Sequence, residues 1–472
     1  MLPCRRGASE GFHRFSESER DRGKPAPTCG QAPCRRQRPR DYRGTTGVNR
    51  RYAVLNVTAL LGRPSESDSL RYGRHSTTTS GAARAPVVVW NCTRTCNLAC
   101  RHCYSDSDAK IYDQLSSDEA RALITDAAGM GSPAFLFSGG EPLIRPDLLE
   151  LIAHARSHGL PVTLSSNGTL IDDDVARKLA DLEVRYVGIS LDGIGEVHDT
   201  FRGRKGAYDH AIRGIRALRK VGVKVGIRIT LSPSSVPMLD DLFEVAEQEG
   251  IGRVCCYHMV PAGRGQGEGL MPVAEERAAL ERVFEQAERW VADGRDIEML
   301  TVDNYADGPA LLLRLEQNHP ELADSVEAAL TWNGGQRGAG GRGLAAIDWV
   351  GNVRPDQFWG GPPLGSVRER PLSQIWADAP ELLASLRGRA DNLTGRCATC
   401  RFQGMCGGGL TSRTVACGLP MEAPDPGCHL TDREITMTAT ELSGTKIPCG
   451  KCAGGTAGSC NRPDEAATTT GC

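Results

Sequence analysis

Features that would place this chain in a membrane or outside the cell are missing from its sequence. No run in the 472 residues approaches the roughly 20 consecutive apolar residues of a membrane-spanning helix. The first 50 residues contain no apolar core of a secretory signal peptide. The formal net charge is only -2, which gives no overall electrostatic reason to expect nucleic-acid binding. We therefore expect neither a membrane nor a nucleic acid as a partner.

Cysteine, by contrast, is abundant, with 18 in the chain. Disulfide bonds would explain such a number in a secreted protein, but no export signal supports them. The cysteines instead cluster at spacings typical of metal sites. This usage favours a protein of the reducing cytoplasm.

The N-terminal segment is basic and poor in large apolar side chains. Residues 1–50 hold 12 Lys and Arg against 5 Asp and Glu. Such a segment buries too little apolar surface to fold by itself, so we expect residues 1–54 to be a disordered extension. A basic tail for nucleic acid or membrane is the alternative. Because no Met occurs between Met1 and Met130, Val48 and Val54 are candidate alternative starts.

Between residues 86 and 295, apolar runs of strand length alternate with helical patterns. Ser116 and Glu119 form a capping-box pattern at the start of one of these helices. Strands that alternate with helices imply parallel β/α units, hence an α/β barrel or an open doubly wound sheet. Ligands of both folds bind at the carboxyl ends of the strands. The predicted strands are 86–90, 134–138, 161–165, 185–190, 224–230 and 253–258.

Polar and glycine-rich motifs occur at the ends of these predicted strands. Any one of them alone would be read as a turn, since Gly, Asn, Asp and Ser are turn residues. Because the carboxyl ends of parallel strands meet at one edge of a sheet, we expect these motifs to form one site. Arg228 lies within the fifth predicted strand, and the motifs contain Gly139, Gly140, Glu141, Asn167, Ser190, Asp192, His258 and Arg264.

Three cysteines, Cys96, Cys100 and Cys103, follow the first predicted strand. Thiolates suit zinc or iron-sulfur clusters, but structural zinc takes four ligands, often as two separated pairs. A four-iron cluster held by only three thiolates keeps one iron open for another ligand. The spacing therefore favours iron, with a zinc knuckle or three unrelated core thiols as the alternative.

The CxxxCxxC spacing, with Tyr104 after the last cysteine, resembles the radical S-adenosylmethionine (SAM) superfamily. The resemblance implies a partial (β/α)6 barrel, a 4Fe-4S cluster on the three cysteines, and SAM chelated by the open iron. It also implies that Gly139, Gly140 and Glu141 contact the SAM amino group. By the same resemblance, Asn167 and either Ser190 or Asp192 contact ribose or methionine atoms of SAM, and Arg228 contacts its carboxylate.

A second cysteine set lies near the C-terminus. It resembles the SPASM-type extension of radical SAM maturases, which implies an auxiliary 4Fe-4S cluster; zinc is the alternative. Cys417 is interpreted as a non-ligand. The predicted ligands are Cys397, Cys400, Cys406 and Cys428. The predicted layout beyond the basic extension is an approach segment 55–85, a barrel 86–295, a linker or substrate loop 296–340, an auxiliary-cluster domain 341–435 and a disordered tail 436–472.

The resemblance narrows over residues 55–435. The combination of motifs is similar to the radical SAM group that trims side chains of siroheme-derived tetrapyrroles. One branch removes acetate groups from 12,18-didecarboxysiroheme to give Fe-coproporphyrin III, and the other acts on propionates in haem d1 biosynthesis. The motifs are residues 70–74, 87–91, 262–265, 303–304, 307–308, 356–359, 365–370 and 425–428.

The deacetylase branch implies particular partners and roles. The substrate is an iron tetrapyrrole, the radical is 5'-deoxyadenosyl, and a reductant such as ferredoxin or flavodoxin supplies the electron. Arg228, Arg264 and Arg354 are candidates for binding substrate carboxylates, because guanidinium binds carboxylate bidentately. His258 is a candidate ligand of the substrate iron or a proton donor. The alternatives are the haem d1 branch, a radical SAM peptide maturase, and a non-catalytic metal-binding scaffold.

Overall fold

The computed structural model describes residues 54–63, 85–332, 340–378 and 380–437. The predictions for the basic extension, for the motif at 70–74 and for the tail from residue 438 onward lie outside these residues. No helix in the described ranges is both long enough and apolar enough to cross a membrane.

One sheet runs through the described residues. Its strands are β1 (Val54–Asn56), β2 (Val87–Asn91), β3 (Phe135–Ser138), β4 (Val162–Ser166), β5 (Tyr186–Ser190), β6 (Val225–Leu231), β7 (Arg253–His258), β8 (Glu298–Val302), β9 (Leu344–Ile347), β10 (Asn352–Arg354) and β11 (Gly365–Ser366). Their order is β1-β8-β7-β6-β5-β4-β3-β2-β9-β10-β11. The six predicted strands are β2 to β7, and each pairs in parallel with the next. The predicted α/β fold with a partial (β/α)6 barrel is confirmed.

Helices connect these strands. In the described residues they are α1 (Val57–Leu60), α2 (Ser117–Gly129), α3 (Leu148–Ser157), α4 (Asp173–Asp181), α5 (Glu196–Arg202), α6 (Ala207–Lys220), α7 (Leu239–Gln248), α8 (Val273–Ala292), α9 (Asp307–Asn318), α10 (Pro320–Trp332), α11 (Leu372–Asp378), α12 (Glu381–Gly388), α13 (Gln403–Cys406), α14 (Thr411–Ala416) and α15 (Asp432–Thr436). The predicted capping box of α2 is present: the Ser116 side chain accepts from Glu119 N, and the Glu119 carboxylate accepts from Ser116 N. The apolar side of α2 packs into the core through Leu123 and Ile124, as its period of 3.6 residues predicts.

The prediction that residues 296–340 form a linker or substrate loop is wrong. β8 belongs to the sheet, pairs in parallel with β7 and is buried along its whole length. α9 and α10 follow it. The strand was missed because Glu298 and Thr301 interrupt its apolar pattern. The Glu298 carboxylate tolerates burial because it pairs with Arg253 on the neighbouring strand.

The C-terminal extension begins as a continuation of the same sheet. β9 pairs in parallel with β2, and β9 and β10 form an antiparallel hairpin. Farther along, the Arg413 guanidinium forms a fully buried ion pair with Asp425 and donates to Met259 O, just beyond β7, over 3.1 Å. Asn304, just beyond β8, donates to Gly427 O over 2.8 Å. The extension is therefore fastened to the carboxyl ends of two barrel strands.

Candidate active site

The three-cysteine loop follows β2 and is hydrogen-bonded to the turn that follows β3. Gly140 N donates to Thr93 O over 2.7 Å, and Glu141 N donates to Thr95 O over 3.0 Å. A Cβ atom on Gly139 would lie 2.4 Å from Thr93 O, and one on Gly140 would lie 2.4 Å from Thr95 O. Only glycine fits at such distances from backbone. The two glycines thus have a structural role in positioning the loop, while their predicted contact with SAM stays a prediction.

Glu141 is buried beneath this turn. Its carboxylate accepts hydrogen bonds from Leu143 N, from Asn167 N at 2.8 Å and from the Ser166 hydroxyl at 2.9 Å. Burial raises the pKa of Glu141 to about 7, although these hydrogen bonds favour the charged form. The side chain joins the ends of β3 and β4. Its predicted contact with the SAM amino group would compete with these bonds, so we expect backbone atoms of the motif to make that contact.

The thiols of the loop form one small cluster with Leu98 and Ala207. All three are free thiols. Each has a nearby N–H donor: the Asn167 amide lies 3.9 Å from Cys96 Sγ, Arg202 Nη1 lies 3.5 Å from Cys100 Sγ, and a backbone N–H lies 3.4 Å from Cys103 Sγ. Donors of this kind surround cluster thiolates and tune their potentials. No three His, Cys, Asp or Glu side chains in the described ranges stand at metal-binding distance, so the fit to a 4Fe-4S cluster rests on these donors and their spacing.

Asp192 has a different setting from the one predicted. It is fully buried, forms an ion pair with Arg202 and accepts from Thr230 N over 2.7 Å. Burial alone would raise the pKa of Asp192, but the Arg202 guanidinium holds it below its usual range. Arg202 in turn contacts Cys100. Asp192 therefore orients a residue that touches a cluster ligand, and its contact with SAM stays a prediction.

Sequence reasoning missed Arg202. It stands in the stretch Arg202-Gly203-Arg204-Lys205, which reads as an exposed basic turn. In the structure the backbone of this stretch runs along the cysteine loop, where Ala99 N donates to Arg202 O over 3.1 Å. Gly203 allows the approach, because a Cβ there would lie 2.7 Å from Ala99 O. The glycine within a basic run was the only signal in the sequence.

Ser190 ends β5 and Asn167 follows β4, while Arg228 lies within β6, as the sequence placed them. Arg228 donates to the Ser165 hydroxyl over 2.5 Å, and its Nε atom is buried without a hydrogen-bond partner among the described residues. The Asn167 amide donates to Asn97 Oδ1 over 2.8 Å. Arg228 and Ser190 line a cavity of about 160 Å³, called here the inner cavity. Its other walls include His102, Tyr104, Tyr257, His258, Gln357 and Phe358.

His258 does not have the free ring nitrogen that iron ligation requires. Its Nδ1 lies 2.5 Å from Glu276 Oε1, and its Nε2 lies 2.9 Å from Asp307 Oδ2. Burial alone would lower the pKa of His258, but the Asp307 and Glu276 carboxylates raise it to about 10. His258 is therefore an imidazolium held between two carboxylates. With both ring nitrogens held by carboxylates, the prediction that His258 ligates the substrate iron is wrong, and the alternative role as a proton donor stays a prediction.

Arg264 also forms hydrogen bonds other than the predicted ones. Its Nε donates to Cys100 O over 2.9 Å, and its Nη1 donates to Asp106 Oδ1 over 3.0 Å. Both partners belong to the segment that carries the three cysteines. Arg264 therefore braces the cysteine loop, and its predicted role in binding a substrate carboxylate is not supported by these contacts.

A larger cavity of about 530 Å³, the outer cavity, lies between the barrel and the extension. Tyr104, Gln357 and Phe358 line both cavities, so the two adjoin. Arg354 lies in its wall and pairs with Asp348 over 3.3 Å. Arg94, which sequence reasoning missed, also lines it and stacks on Trp349, with 5.3 Å between guanidinium carbon and ring centroid. The outer cavity thus combines flat aromatic surface with two guanidinium groups.

The second cysteine set lies in the extension, close to the junction with the barrel. Cys397, Cys400, Cys406 and Cys428 are all free thiols. Burial raises the pKa of the Cys406 thiol well above its usual range, and the nearby Cys428 and Cys397 thiols add to this, as expected for neighbours. Cys417 lies outside this set of four.

Arg389 organises the loop around the second set. Its guanidinium donates to the carbonyl oxygens of five residues. Four free, neighbouring thiols with a buried cation beside them fit an auxiliary 4Fe-4S cluster. The carbonyl oxygens belong to Gly407, Gly408, Gly409, Met421 and Ala423.

Comparison with known proteins places these features in a family. The sequence model of the radical SAM superfamily matches residues 90–245. The Fe-coproporphyrin III synthase of Methanosarcina barkeri is 43% identical over 397 residues, which cover 81% of this chain and 99% of that protein. The pre-heme d1 synthase of Dinoroseobacter shibae is 38% identical, covering 76% of this chain and 89% of that protein.

Solved structures agree at the level of the fold. Streptococcus suis SuiB bound to S-adenosylmethionine superposes with a TM-score of 0.59 at 18% identity, covering 74% of this chain and 78% of that one. The anSMEcpe structure with bound AdoMet gives 0.55 at 17% identity, covering 69% and 90%.

These matches confirm an enzyme of radical chemistry that uses SAM and 4Fe-4S clusters. The chain belongs to the radical SAM superfamily, in the group that contains the Fe-coproporphyrin III synthase and the pre-heme d1 synthase.

Proposed function

We propose that this protein removes acetate side chains from 12,18-didecarboxysiroheme to give Fe-coproporphyrin III. The observation that carries the proposal is the 43% identity to a Fe-coproporphyrin III synthase across 99% of that protein's length. Substrate carboxylates require cationic partners and a planar macrocycle requires flat apolar surface. The outer cavity offers Arg94, which also pairs with Asp106, and Arg354, which also pairs with Asp348. Both lie beside Trp349, Phe358 and Trp359.

The residues divide the work of binding SAM and the clusters. Cys96, Cys100 and Cys103 would hold the first 4Fe-4S cluster; Cys397, Cys400, Cys406 and Cys428 would hold the auxiliary one. When bound, the first cluster and SAM would supply the radical chemistry that removal of a side chain requires. Gly139 and Gly140 fix the cysteine loop, and Arg228 is set to bind a carboxylate at the inner cavity.

Tyr104 lies at the boundary between the two cavities. Its hydroxyl donates to Asn91 Oδ1 over 2.9 Å, and its ring packs edge to face against Phe358. Phe358 belongs to the extension, so the extension completes the wall of the barrel site.

The electron comes from a reductant such as ferredoxin or flavodoxin in the cytoplasm. The cysteine loop reaches the surface at Ala99 and Arg101, which are both exposed. A donor protein docked there would approach the first cluster closely. Arg204 and Lys205, exposed on the adjoining turn, add positive charge that suits an acidic donor.

Removal of propionate carbons in haem d1 biosynthesis is the second candidate. It is favoured by the 38% identity to a pre-heme d1 synthase. Both candidates use the same cavities and the same radical, and they differ in the side chain that loses carbon. Identification of the product is needed to distinguish the two candidates.

The test is an anaerobic assay of the cluster-reconstituted protein with SAM, a strong reductant and 12,18-didecarboxysiroheme. We expect mass spectrometry to show loss of acetate groups with matching amounts of 5'-deoxyadenosine. SAM cleavage with an unchanged macrocycle would reject this substrate. Loss of mass from the propionates would select the second candidate.

A further inference from the structure

Arg202 is a buried cation that lies between a predicted cluster ligand and a carboxylate. The residue is 7% exposed, its Nη1 atom donates to Cys100 Sγ over 3.5 Å, and its Nη2 atom forms an ion pair with Asp192. Cys96 and Cys103 have uncharged donors instead. Hydrogen bonds in which one partner is ionised are roughly twice as strong as neutral ones. Among the described residues, Cys100 is therefore the thiol of the loop that has a charged donor.

The fold holds this guanidinium in place from two directions. Asp192 is fully buried and is itself fixed, because one of its carboxylate oxygens accepts from Thr230 N over 2.7 Å. The backbone of Arg202 is tied to the cysteine loop, where its carbonyl oxygen accepts from Ala99 N over 3.1 Å. A guanidinium that moved away would leave Asp192 as an unpaired buried charge, which is strongly destabilising. The contact with the Cys100 sulfur is therefore built into the fold.

A cation at this position favours added negative charge on the cysteine loop. Net charge and hydrogen bonds to the sulfurs are among the factors that set the reduction potential of an iron-sulfur cluster. Reduction adds one negative charge, so a nearby buried cation stabilises the reduced form more than the oxidised one. Asp192 carries the opposite charge, but Arg202 is the group that contacts the sulfur. Burial raises the pKa of the Cys100 thiol, and Arg202 opposes this more strongly than Asp192 reinforces it.

We propose that Arg202 is a positioning residue that raises the reduction potential of the first cluster through its bond to Cys100, with Asp192 as the counter-charge that limits the rise. The inference rests on the function proposed above, because that function assigns the first cluster to the three-cysteine loop. Arg202 acts when one electron arrives from an iron-sulfur or flavin donor protein. The loop then gains one negative charge, and no bond forms or breaks. Arg202 thus makes the first cluster easier to reduce.

The test is a redox titration of the cluster-reconstituted full chain, followed by electron paramagnetic resonance in the absence of SAM and substrate. The signal of the first cluster is the one that Cys96→Ala abolishes. We expect Arg202→Gln to lower the ratio of reduced to oxidised cluster at a fixed potential by about 10-fold, as for one lost hydrogen bond to a charged group. Asp192→Asn should raise this ratio, because it removes the opposing charge. Arg202→Lys keeps the cation, so its ratio should lie between those of wild type and Arg202→Gln.

Two further variants separate the effect of charge from damage to the fold. Arg202→Gln leaves Asp192 unpaired, whereas the double variant Arg202→Gln/Asp192→Asn leaves no unpaired buried charge. We expect the double variant to fold and to show a lower ratio than wild type. Arg204→Gln is the matched control, because it removes a cation from the same turn, but one that is exposed and screened by solvent. Its ratio should change by less than about 3-fold.

Opposite shifts in Arg202→Gln and Asp192→Asn support the proposal, since damage to the fold would not move the two ratios in opposite directions. Equal ratios in wild type and the double variant, or a lower ratio in Asp192→Asn, would overturn it. A signal that persists in Cys96→Ala would overturn both the cluster assignment and the role of Arg202. If wild type makes no product from 12,18-didecarboxysiroheme, the proposed substrate fails, but the order of the ratios still decides on Arg202.

Discussion

The role of His258 follows from its hydrogen-bond partners rather than from its position in the sequence. In the sequence it is a histidine at a strand end before a glycine-rich turn, a pattern that suits a catalytic or metal-binding group. In the structure Glu276 from α8 and Asp307 from α9 occupy both ring nitrogens. Asp307 also lies 2.9 Å from Nε2 of His429, the residue after Cys428. The imidazolium therefore belongs to a buried network that joins the barrel to the second cysteine set.

This network predicts a pH dependence of stability. The pKa of His258 is about 10 in the folded protein, above the ordinary value of about 6.5. Its contribution to the free energy of unfolding is therefore complete below about pH 6.5 and is lost as pH rises through about 10. We expect urea unfolding of wild type to show falling stability over this range. His258→Gln should lower stability by about 3–5 kcal/mol near neutral pH, because two buried carboxylates lose their cation.

The matched control for His258 is His158→Gln, since His158 is exposed at the end of α3. A substitution at such a position normally changes the free energy of unfolding by no more than about 0.5 kcal/mol. Equal, small effects of the two variants would contradict the network.

Among the elements, the turn after β3 has the narrowest steric tolerance. Gly140→Ala would place a Cβ 2.4 Å from Thr95 O, so the cysteine loop must move away from the turn. We expect this variant to retain its far-ultraviolet circular dichroism but to bind less iron and sulfide on reconstitution. Gly129→Ala at the end of α2 is the control, because nothing lies within 4 Å of its added Cβ. Full iron content in Gly140→Ala would show that the loop adapts.

The elements also show what sequence patterns predict well. β2 to β7 are apolar runs, and such runs were sufficient to place them within one or two residues. β8 was missed because its burial depends on the pairing of Glu298 with Arg253, 45 residues earlier. The roles of several site residues also depend on contacts that are distant in the sequence. Arg264 contacts Cys100 across 164 positions and Arg202 contacts it across 102, so neither role follows from local spacing. Cysteine spacing, by contrast, is local chemistry, and it indicated both cluster sites.

At the scale of the whole molecule, substitutions in the two cysteine sets should have different effects on SAM cleavage and on product formation. Cys96→Ala removes a ligand of the first set, so we expect SAM cleavage to be abolished while the fold remains. Cys406→Ala removes a ligand of the second set, so product formation should suffer more than SAM cleavage. Measuring 5'-deoxyadenosine and product in parallel distinguishes them. Retained cleavage in Cys96→Ala, or equal losses in Cys406→Ala, would contradict the division of labour.

The parallel pairing of β9 with β2 has a consequence for building chimeras between relatives. The extension supplies the strand that covers the β2 edge of the sheet, so a barrel cut off after α10 would present an unpaired strand edge to other chains. An exchange of substrate specificity must therefore transfer β9 and β10 together with the cysteine-rich part. The seam for such a graft lies between α10 and β9, well ahead of the first cysteine of the second set.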